Sequence, residues 1–183
     1  FINAASLLNI AANRMGDLTG LVTFADHVTH FLRAGNGHQN TCQVQDCLFP
    51  LQAKRVTPNY DDAFSFLRNR LRKRTFLLFM TDLSDPAQSE QFLRQIRLLT
   101  RKHLVLVVMI TPPHVAPLFS KPLAGESEDS LYYALSGHYQ YTRFSQLALS
   151  LKRQGVHLAQ LASHDFAQQV IQEYTNVKRR QLL

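Results

Sequence analysis

A chain of 183 residues that is 45% hydrophobic and 18% charged has the bulk for one full core, and excludes fibrous and disordered classes. Seven Gly and seven Pro are too few for a linker-rich chain, and no apolar run approaches the roughly 18–20 residues of a spanning helix, so the chain reads as a soluble domain. The formal charge of +7 leaves nucleic acid, an anionic membrane face and an acidic protein as partner classes.

Residues 1–15 carry Ala5, Leu8, Ala12 and Met15 at helical spacing, and Gly16 supplies a stop. Residues 18–24 read as a strand, Ala25-Asp26 as a turn and residues 27–32 as a return strand, a hairpin at the sheet's edge. Residues 33–58 are Gly-, Asn- and Gln-rich, predicting loop with a short helix near 44–51. Cys42 and Cys47 stand five apart there, a spacing of neither a redox pair nor a zinc set, so both are read as free thiols in a reducing compartment.

Tyr60, Phe64, Leu67 and Leu71 predict a helix over 59–72 that feeds an apolar strand over 75–80. That strand has no polar alternation and ends in Thr81-Asp82-Leu83-Ser84-Asp85. A strand apolar on both faces belongs to a covered parallel sheet, whose ligands sit beyond the carboxyl ends of its strands. Thr81, Asp82, Ser84 and Asp85 stand at that place. Asp85 also suits a helix cap, with Pro86 at the first helical position.

The pattern repeats with a helix over 86–102 and an apolar strand over 104–110, and then a Pro/Gly/Ser-rich loop over 116–129. A long helix over 130–154 follows, with Tyr132, Leu135, Tyr139, Phe144, Leu147 and Leu151 expected inward. A short strand over 156–161 leads to a final helix capped by Ser163 and striped with Phe166, Val170, Tyr174 and Val177. The sum is an α/β doubly wound, mostly parallel sheet with helices on both faces.

Basic residues gather in Arg68, Arg70, Arg72, Lys73 and Arg74, in Arg101-Lys102-His103 and in Lys178-Arg179-Arg180, each at the C-terminal end of an expected helix, where the dipole favours cations. No aromatic residue is interleaved with them to stack a base, which favours the dipole reading over a nucleic-acid surface. The chain has no Gly-x-Gly-x-x-Gly, no phosphate-binding Gly-Lys-Ser/Thr loop, no Gly-x-Ser-x-Gly elbow and no His-Glu-x-x-His, so the common enzymes of this architecture are not indicated. Asp61-Asp62 open a helix, where acids cap.

The runs Gly16-Asp17-Leu18-Thr19-Gly20-Leu21-Val22-Thr23-Phe24-Ala25-Asp26 and Phe76-Leu77-Leu78-Phe79-Met80-Thr81-Asp82-Leu83-Ser84-Asp85 carry a resemblance, together with Arg101 to Val108 and the tail Glu173 to Arg180. In combination they resemble the domain of unknown function 58 family. The resemblance implies a von Willebrand factor A-like, Rossmann-like fold over residues 1–183, truncated at its first strand. It also implies a bacterial, non-enzymatic protein-binding domain associated with a MoxR-type AAA+ ATPase.

The metal-ion-dependent adhesion site so implied takes Asp-x-Ser-x-Ser after the first strand, a Thr before a later helix, and an Asp after the next strand. Asp82 matches the last of these. Pro58 stands where the Thr is expected, with Thr57 one residue early, and the first element would precede Phe1 together with the central strand. Mg²⁺ or Mn²⁺ is therefore expected in a longer protein and not in these residues alone. The expected compartment is the cytoplasm, or its membrane face if an upstream region carries an anchor.

Three functions are open, the first of them implied by the resemblance. The first is a protein contact through Asp82, Ser84 and Asp85 with the loops near Thr57 and Thr111. The second is binding of nucleic acid or an anionic membrane through the basic clusters. The third, metal-assisted hydrolysis at the acidic loop, has no general base to name. Unpaired strand edges also predict association of copies of the chain.

Overall fold

The computed structural model describes residues 1–53, 56–118, 120 and 128–180. In chain order the elements are α1 (Ile2–Arg14), β1 (Thr19–Phe24), β2 (Val28–Gly35), α2 (Gly37–Leu48), α3 (Tyr60–Arg70), β3 (Phe76–Met80), α4 (Pro86–Thr100), β4 (Leu104–Thr111), α5 (Glu128–Arg153), β5 (Val156–Ala162) and α6 (Phe166–Arg179).

Strands β3, β4 and β5 form a parallel sheet in that order, in the register Phe76↔Leu104 and Val105↔Val156. Successive side chains of a strand point to opposite faces, so an unbroken apolar strand feeds two cores. Leu77, Phe79, Val105, Val107, Val156 and Leu158 meet α3, α4 and α5 through Tyr60, Phe64, Phe92, Ile96 and Leu151. Phe76, Leu78, Leu106, Val108 and Leu161 meet α1 and α6 through Ala4, Leu8, Phe166 and Val170. Each fully buried Leu, Ile or Phe contributes about 1.5–3 kcal/mol, which is why these stripes decide the fold. The molecule is a Rossmann-like α/β fold with helices on both faces of its parallel sheet.

The hairpin is present, but it is not the edge of that sheet. β1 and β2 make a separate antiparallel pair, and among the described residues β3 pairs only with β4 and β1 only with β2. Helices join the two sheets instead. Tyr60 packs its ring 5.9 Å from Phe24 and bonds its hydroxyl to Thr81, while Asn59 N donates to Ala25 O at 2.7 Å and Val28 N to Asp62 at 3.0 Å. On the other side Asn9 of α1 donates to the Thr19 hydroxyl at 2.5 Å.

Four local expectations are corrected. The segment read as loop with a helix near 44–51 is helical over Gly37–Leu48, and the polar Asn40 in its buried stripe with Val44 and Leu48 hid its first turns from an apolar pattern. The Asn40 amide bonds the Thr19 carbonyl and hydroxyl, so that polar member is satisfied inside. In α1 the buried residues are Ala4, Asn9 and Ala12, while Met15 is exposed beyond the helix end. The last helix is preceded by Asp165, not Ser163, at its N-cap.

In α5, Phe144, Leu147 and Leu151 are buried, but Tyr132, Leu135 and Tyr139 are exposed. The step of five residues from Tyr139 to Phe144 turns a helix by about 140° beyond a full turn, so these two residues point to different faces. The loop expected at 116–129 lies largely outside the described residues. No helix among the described residues is long and apolar enough to cross a membrane.

Candidate functional site

β3 delivers a polar loop whose alternate residues go in and out. Thr81 N continues the ladder to Val108 O at 3.2 Å, and the buried Thr81 hydroxyl meets Tyr60 at 2.8 Å. Leu83 is 1% exposed. These two anchors leave Asp82 and Asp85 exposed and Ser84 half-buried. Thr81 therefore belongs to the core and not to the site.

The Asp82 Oδ1 accepts from Ser84 N at 2.9 Å and from Ser84 Oγ at 2.5 Å, closing a tight turn. Asp85 caps α4 by accepting from Gln88 N at 3.1 Å, with Pro86 opening the helix. Burial pushes the Tyr60 hydroxyl above its ordinary pKa, and the Asp82 charge adds to this against the bond to Thr81.

Thr57 is exposed and lines an open groove of about 540 Å³ with Asp61, Gln88, Gln91 and Arg94. Asp61 accepts from Gln91 at 3.2 Å, tying the first turn of α3 to α4, while Asn59 caps α3 through Asp62 N at 3.1 Å. The acidic pair 61–62 thus braces helices and hairpin. The groove's walls include Thr57 but not Asp82. Sequence reasoning missed this groove, since Gln91 and Arg94 lie six and nine residues beyond Asp85 and belong to no motif. The Thr111 hydroxyl, at the end of β4, is buried with no partner among the described residues.

Mg²⁺ requires near-octahedral oxygen donors at about 2.0–2.1 Å. Among the described residues no three His, Cys, Asp or Glu side chains gather to hold a metal, and Asp82 already spends one oxygen on Ser84.

The basic cluster lies at the opposite end of the sheet. Arg68 and Arg70 occupy the last turn of α3, and Arg72, Lys73 and Arg74 lead into β3, all exposed. The Arg70 guanidinium stands 5.4 Å from the Phe66 ring and 5.8 Å from Phe31, two rings that meet edge-on at 5.3 Å. No signal along the cluster reveals this pair, because Phe31 comes from β2. Lys102 donates to the Leu71 carbonyl at 3.1 Å, covering the end of α3.

Two distant motif segments also meet. Asp17, after α1, accepts from Tyr174 and from Lys178 of α6, the latter at 2.6 Å, and Lys178 reaches Met15 O at 3.3 Å. Burial works to raise the Asp17 carboxyl, but these hydrogen bonds and the Lys178 charge outweigh it and hold the group below its ordinary value. Burial and Asp17 together push Tyr174 well above its usual range.

No curated protein and no solved structure matches the chain. The family described as "Protein of unknown function DUF58" matches residues 1–122, a span that holds Asp17, the hairpin, Thr57, the basic cluster and the Asp82 loop but not the tail at 173–180. With more than half of its length so matched, the chain belongs to the DUF58 family.

Proposed function

We propose that this domain is a non-enzymatic protein-interaction module of von Willebrand factor A-like type, contacting its partner through the carboxyl end of the parallel sheet. Asp82, Ser84 and Asp85 form the contact, bordered by the groove at Thr57, and the partner is a bacterial MoxR-type AAA+ ATPase. The observation that carries this reading is the loop after β3: Thr81 and Leu83 anchor it, while Asp82 and Asp85 stay exposed. A polar surface held rigid before binding loses little entropy on association. An ATP-dependent partner sets the compartment as the cytoplasm or its membrane face.

A metal-bridged contact is a finer form of the proposal and requires oxygen ligands beyond Asp82. A second reading, binding of nucleic acid or an anionic membrane, is favoured by the exposure of Arg68, Arg72, Lys73 and Arg74, with no carboxylate anywhere from residue 63 to 81.

The test is Asp82→Ala, assayed for ATPase binding and for thermal melting. We expect binding to fall at least about tenfold, the loss of about 1.4 kcal/mol, and folding stability to fall far less, because Asp82 is outside both cores and its turn is exposed. Unchanged binding would remove the site. Steep weakening with salt would instead support the basic surface, and weakening by chelator the metal-bridged form.

A further inference from the structure

The segment after α3 carries charge that the fold does not neutralise. Arg70, Arg72, Lys73, Arg74 and Arg101 are exposed, and none of them enters an ion pair among the described residues. The helix dipole accounts for Arg70, in the last turn of α3, and for Arg101, at the C-cap of α4. Its effect falls off beyond the last turn, so Arg72, Lys73 and Arg74, past the C-cap Leu71, have no such role. Lys102 donates to the Leu71 carbonyl at 3.1 Å, which brings the end of α4 against this segment and joins the two groups of cations.

The fold brings to these cations a ring that the sequence places elsewhere. Phe31 of β2 and Phe66 of α3 meet edge-on at 5.3 Å, are half-buried, and belong to neither apolar core. The Arg70 guanidinium stands over both, 5.8 Å from the Phe31 ring and 5.4 Å from the Phe66 ring. The two rings thus back it on one side while the residue stays exposed on the other. A guanidinium plane held in this way stacks an unpaired base, and the cations beyond it take the phosphates that follow.

This chemistry selects among polyanions. No large apolar side chain is exposed between Val56 and Leu98, so the surface has nothing to insert into lipid. A duplex keeps its bases stacked on one another and offers Arg70 no ring face. An acidic peptide brings charge without a ring. No carboxylate from residue 63 to 81 repels an anion laid along the segment.

We propose that this surface binds single-stranded nucleic acid, with a base stacked on Arg70 over the Phe31–Phe66 pair and phosphates held by Arg72, Lys73, Arg74 and Arg101. The proposal rests on the second reading of the basic surface and takes it to one ligand. It is independent of the Asp82 loop, which lies at the other end of the sheet.

Fluorescence anisotropy of a labelled single strand of about 12 nucleotides tests this, with competition by a duplex of the same length, by an oligoglutamate of equal charge and by vesicles carrying phosphatidylserine. We expect the single strand to bind most tightly, and its affinity to fall steeply with salt. Arg72→Gln/Lys73→Gln/Arg74→Gln should lower the slope of log K against log salt by about 2, at about 0.7 for each phosphate contact. Arg70→Lys keeps the charge and loses the plane, so it should weaken binding about tenfold and leave the slope unchanged. Asp82→Ala should bind the strand as the parent does. Failure of the single strand to bind at low salt, equal or tighter binding of duplex or oligoglutamate, or an Arg70→Lys variant that binds like the parent would each overturn the proposal. Tighter binding of the vesicles would also overturn it, while leaving the second reading as a membrane contact.

Discussion

His103 closes the turn between α4 and β4, with its ring 5% exposed and its Nδ1 facing no partner among the described residues. Burial, and then the neighbouring Lys102 charge, push it below its ordinary pKa of 6.5. The folded state therefore binds this proton less readily than the unfolded chain does. Its stability contribution is full above the unfolded pKa and is lost as pH falls through that value toward the folded one. Melting temperature should fall between about pH 7.5 and 5.5, and His103→Gln should flatten that part of the curve. Parallel curves for the two proteins would show that another group controls the slope. At this scale the sequence was readable where chemistry is local: Asp85 caps its helix as its Pro86 neighbour suggests. Thr81 was misplaced because its inward direction depends on Tyr60, twenty-one residues away.

α5 shows how far periodicity carries at the scale of an element. Its existence and end were legible, with Gly155 at φ +76 closing it, but its apolar residues form two faces and only one is used by the fold. α2 was illegible for the reverse reason, since a buried Asn broke its apolar stripe. Gly137 marks where α5 is docked: a Cβ there would overlap the backbone carbonyl of His114, which has no flexible side chain to yield. Ala gains up to about 1 kcal/mol over Gly in helix propensity, but overpacking against backbone costs about 1–3 kcal/mol. Gly137→Ala should therefore lower the melting temperature and speed amide exchange in residues 112–118. A variant more stable than the parent would mean that α5 is not held by this approach.

Across the whole molecule, topology sorts charge. Helix C-termini gather at the amino ends of the parallel strands, which places Arg68 to Arg74, Arg101, Lys152 and Arg153 there, whereas Asp82 and Asp85 stand at the carboxyl end. The doubly wound architecture was legible because three apolar strands alternate with amphipathic helices. The division into two sheets was not, because which strands share hydrogen bonds is a property of the assembled chain. The exposed loop of Asp82, Ser84 and Asp85 was legible, because it follows the strand directly. Its border at Thr57 was readable only as a motif offset by one residue, and its groove not at all. Hydrogen-exchange footprinting of the chain with a MoxR-type ATPase tests the central claim most directly, because it reports which end of the sheet is covered. The account predicts slowed exchange in residues 82–88 and 57–61 with 68–74 unchanged, and protection confined to 68–74 and 101–103 would contradict it.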